Sequence, residues 1–75
     1  GKPQQEHNMN KPNTFNATRM TDRLLDLRLA SYRRSIAANE AEILNSDEVA
    51  AEMLREINAI LNARIAAIFA EQLSR

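Results

Sequence analysis

From Val49 to Leu73, apolar residues return at steps of three and four. Ala50, Met53, Leu54, Ile57, Ile60, Leu61 and Ile68 thereby share one helical face. Beyond Ala59 the remaining faces turn apolar as well, with Ala63, Ile65, Ala66, Phe69, Ala70 and Leu73. A helix that is apolar on every side has to be buried on more than one of them. A single neighbouring helix cannot do this, so the pattern calls for a second partner.

An earlier stretch carries a simpler stripe. Leu25, Leu29, Tyr32, Ile36, Asn39 and Ile43 alternate four and three apart, the spacing of a coiled-coil seam. Leu24 and Leu27 stand well off that stripe. The spacing predicts a first helix over about residues 17–44 and a second over about 47–74, with Thr14, Asn16 and Thr18 as possible caps for the first. Between them lies Asn45-Ser46-Asp47-Glu48. Asn45 can close one helix, Asn45 or Ser46 can cap the next, and Asp47 and Glu48 suit the positive end of its dipole. With Asn45 as cap, Glu48 would complete a capping box. A connection this short sets the helices antiparallel, against the alternative of one unbroken rod.

The expected fold is therefore an all-α antiparallel helical hairpin. With the turn centred near Ser46, facing residues add to about 92, so Ile43 meets Val49, Asn39 meets Met53, Ile36 meets Ile57, Tyr32 meets Ile60 and Leu25 meets Ile68. The two segments apolar on several sides then fall together at the open end, away from the turn. That coincidence predicts a homodimer, an antiparallel four-helix bundle centred on the open ends.

Composition sharpens this picture. A chain of 75 residues without cysteine has neither disulfide nor thiolate site, and chains of ~70–80 residues rarely gain more than a few kcal/mol from a core alone. Self-association is the remaining route to stability. The only glycine is Gly1 and the prolines are Pro3 and Pro12, so nothing breaks a helix later on. Residues 1–15 are rich in Gln, Asn, Lys and Pro and read as a disordered lead to a helical interaction domain over 16–75. No secretory signal is visible, and Arg64 and Glu71 interrupt the only candidate for the ~18-residue apolar run of a membrane span. A cytoplasmic location is expected.

Net charge is zero but uneven. Residues 1–38 hold seven basic and three acidic side chains, +4, and residues 39–75 hold three basic and seven acidic, −4. Arg19, Arg23, Arg28, Arg33 and Arg34 make the first helix basic. Five arginines and no lysine there suit bidentate phosphate or carboxylate recognition, so contact with nucleic acid is one option and pairing with neighbouring acids the other. Arg64, inside the apolar stripe, must either lead its head out to Asp22, Asp26 or another chain's acid, or meet a partner's carboxylate or phosphate at a groove. Asn39 in the seam either fixes register against a matching polar group or is simply exposed near the turn.

Catalytic chemistry finds no foothold. Glu40, Glu42, Asp47 and Glu48 lack an apolar setting that would raise a pKa. His7 has no second histidine or cysteine with which to hold a metal, and no cofactor is expected. The residues expected at a dimer or partner interface are Leu24, Leu25, Leu27, Leu29 and Tyr32 on the first helix. On the second they are Ile60, Leu61, Arg64, Ile65, Ile68, Phe69 and Leu73. The best functional expectation is a small dimeric adaptor or regulator that acts by binding protein. The alternative is a nucleic-acid regulator using the first-helix arginines, and here the expected architecture resembles that of the Rop-like RNA-binding proteins of plasmids. That likeness is one of architecture and involves no motif.

Overall fold

A computed structural model describes residues 15–75; of the expected disordered lead, all but Phe15 lies outside them. The chain forms one 3₁₀ turn, Ala17–Arg19, then α1, Asp22–Ile43, and α2, Glu48–Ser74. The two helices pack against each other as a hairpin. No described helix is long and apolar enough to cross a membrane.

Local chemistry sets each boundary. Helix α1 begins five residues later than its periodicity predicts, because Thr21 is its cap and accepts from the Leu24 amide at 3.1 Å. Asn16 does act as a cap, but of the separate 3₁₀ turn, accepting from the Thr18 amide at 3.1 Å. At the other end of α1, the Asn45 and Ser46 amides bond the carbonyls of Glu42 and Ile43, and the Ser46 hydroxyl also donates to Glu42 at 2.7 Å. Those bonds satisfy carbonyls that a helix end leaves open. Ser46 is thereby committed to α1. Asp47, not Asn45 or Ser46, caps α2 by accepting from the Ala50 amide at 2.8 Å, so the expected capping box does not form.

The register differs from the one a symmetric turn implies. Asn39 Nδ2 donates to Asn58 Oδ1 at 2.9 Å, Gln72 Nε2 donates to Asp26 Oδ1 at 2.9 Å, and Arg75 reaches Asp22. Facing residues therefore add to about 97, five more than expected. Asn39 thus meets Asn58 and not Met53. Leu29 comes opposite Ile68, Tyr32 opposite Ile65 and Ile36 opposite Leu61. The inner face of α2 is Ala51, Leu54, Asn58, Leu61, Ile65 and Ile68, alternating three and four and matching the alternation of α1. An amide in the α1 seam needs a polar group across from it, and a lost partner would leave it desolvated. Asn58 is the group that meets the need.

The core lies at the open end. Leu25 and Ile68 are fully buried, with Tyr32 and Ala17 beside them, and Phe15, Met20, Leu29, Leu61 and Ile65 pack around this centre. Fully burying side chains such as Leu25 and Ile68 contributes about 1.5–3 kcal/mol each. The second cover that the open end required is thus supplied in part by the chain itself, through Phe15–Met20 folding over the two helices.

Candidate interaction surface

Helix α2 has more apolar surface than α1 and the N-terminal turn can cover. At about 100° per residue, its inner face and the row Val49, Met53, Ile57, Ile60 are two separate stripes. That row lies roughly a third of a turn away from the inner face. Val49 is 72 % exposed, Met53 58 % and Ile60 56 %. All three were expected in the seam, and they face outward because the register is set by the Asn39–Asn58 pair. Near the open end, Leu73 is 88 % exposed, and Ala59, Ala63, Ala66 and Ala70 lie exposed between the two groups.

The residues expected at an interface divide into two sets. Leu25, Tyr32 and Ile68 are interior to the single chain, and Leu29, Leu61 and Ile65 pack against them. Leu24 is half-buried. Leu27, Ile60, Phe69 and Leu73 stand on the surface.

Arg64 is half-buried and lies across two aromatic rings, 5.5 Å from the centroid of Phe15 and 5.9 Å from that of Tyr32. The rings themselves meet edge to face at 6.2 Å. A guanidinium is weakly hydrated and planar, and it gains from the negative faces of both rings. Its stem fills the apolar stripe while its head is held by aromatic faces at the site where Phe15 crosses α2.

The five arginines of the first half do not share one face. Arg23 and Arg34 project away from α2, on the side of Leu27, whereas Arg28 and Arg33 fall on opposite flanks of α1 and Arg19 belongs to the 3₁₀ turn. Arg33 leans over the Phe69 ring at 5.5 Å from its centroid. All five are exposed.

Two features had no signal in the hydropathy pattern. Asn58 is buried in the seam, where its type reads as a surface residue; only the presence of Asn39 on the other helix could have pointed to it. Arg75 straps the open end together. Its guanidinium pairs with Asp22 at 2.6 Å and with Glu71 at 2.9 Å, and donates to the Met20 carbonyl at 2.6 Å. Its hydrogen bond to the Asp22 carboxylate, and after it that to Glu71, holds this guanidinium above its ordinary pKa.

No protein-family model, curated protein or solved structure matches this chain.

Proposed function

We propose that this chain is a small helical interaction protein, an adaptor or regulator that works as a homodimer and binds protein through its second helix. The observation that carries this is the outward row of α2, in which Val49, Met53 and Ile60 are all more than half exposed in the single chain. Scattered apolar residues are ordinary on a surface; a row of large ones along one helix marks a contact with another molecule. Dimerisation into a four-helix assembly would bury it.

Unfolding followed by far-ultraviolet circular dichroism over a hundredfold range of protein concentration tests this. Mass action makes a dimer melt at higher temperature as concentration rises. A midpoint that does not move with concentration would count against the homodimer. Nucleic-acid contact through Arg19, Arg23, Arg28, Arg33 and Arg34 has weaker support, since these side chains spread around the first helix and its leading turn. It would require RNA or DNA to bind with steep salt dependence, weakened by Arg33→Ala with Arg34→Ala. No retardation of either nucleic acid is expected at moderate salt.

A further inference from the structure

The outward side of α2 is apolar along almost its whole length, with Val49, Met53 and Ile60 along one edge, Leu73 near the other, and Ala59, Ala63, Ala66 and Ala70 between them. Charge breaks into it at Glu52, Arg55 and Glu56, all in the half nearer the turn. The rest of the hairpin is polarised in the same sense. Divided at the Asn39–Asn58 pair, the open half of the described residues holds seven arginines against three acids, +4, and the turn half six acids against one arginine, −5.

That polarity discriminates between ways of covering the face with a second copy. Two hairpins joined at their open ends would set +4 against +4, and joined at their turns −5 against −5. Laid side by side in opposite directions, each end meets its complement. The contacting helix carries the same sense by itself, with Arg64 and Arg75 against Glu71 in its open half and Glu48, Glu52 and Glu56 against Arg55 in its turn half. Neighbouring helices lie 8–10 Å apart, about one Debye length at physiological salt, so this choice is not screened away.

We infer that the occupant of this face is a second copy of the chain, α2 against α2, antiparallel and overlapped along the full helix. The inference rests on the dimer proposed above and fixes its geometry. A two-fold axis near Ala63 satisfies it. Alanine then lies at the centre, where the backbones come closest, and the large apolar residues of one half reach the other copy's opposite half. The acidic first turns of each α2 flank the basic open end of the other.

Pulsed electron spin resonance on the full chain tests the arrangement, and the absence of cysteine makes single labels clean. Asn45→Cys labels the turn and Ser74→Cys the open end, in separate samples. Overlap about Ala63 sets the two turn labels roughly 50 Å apart and the two open-end labels roughly 30–40 Å apart, from 1.5 Å per residue along each helix. Added salt should loosen the dimer. A distance under about 20 Å at Ser74→Cys would mean open ends in contact, and the same at Asn45→Cys turns in contact. Either would overturn the overlap and leave the dimer standing. No intermolecular distance at any concentration would remove both.

Discussion

One amide pair decides which side of α2 faces inward. Asn39 and Asn58 meet at 2.9 Å between the helices, and neither finds a substitute in the apolar residues around it. A neutral hydrogen bond of this kind contributes only about 0.5–1.5 kcal/mol net, yet a buried amide left without its partner loses about 1–3 kcal/mol. The asymmetry is what gives the pair authority over register. Asn58→Ala should therefore destabilise the hairpin by about 1–3 kcal/mol in urea unfolding. Asn39→Leu with Asn58→Leu should recover that loss, since both polar groups are then gone, while weakening the preference for this register. A single Asn58→Ala variant as stable as the parent would show that the pair does not hold the seam.

At the scale of the helices, capping governs where each begins. Asp47 accepts from the first-turn amide of Ala50 at 2.8 Å and is exposed, so Asp47→Ala removes a cap without opening a cavity. A loss of about 1 kcal/mol is expected, read as a lower unfolding midpoint; a gain in stability would contradict the assignment of the cap. The hairpin was legible in the sequence because its break is written in cap-forming residues and the α1 seam has only one continuous stripe. The inner face of α2 was not legible for the opposite reason. That helix carries two apolar stripes of similar bulk, with Leu54, Leu61, Ile65 and Ile68 facing in and Met53, Ile57 and Ile60 facing out. Spacing by three and four joins members of both stripes into one face, and the Asn39–Asn58 hydrogen bond to α1 separates them. The turn at Ala17–Arg19 left little trace either, since Phe15 and Met20 are isolated apolar residues in a polar stretch. Their burial depends on a cleft that exists only once the helices have met.

The whole molecule is a hairpin with an interior at one end and an unspent apolar face along one helix. Phe15, Met20 and Arg75 close the open end, so the surplus inferred there from the sequence is partly absorbed within the chain. What remains exposed runs along the outer side of α2, and the charge is separated along the same axis. A small chain without disulfides or a metal site among its described residues gains most from covering such a face. Sedimentation equilibrium of the intact chain, beside an Ile60→Glu variant, weighs this. Ile60 is 56 % exposed, so a charge there leaves the interior of the hairpin intact while spoiling the outer face. The expected result is a parent of twice the chain mass and a variant that sediments as a helical monomer. A parent that stays a folded monomer across the concentration range would contradict it.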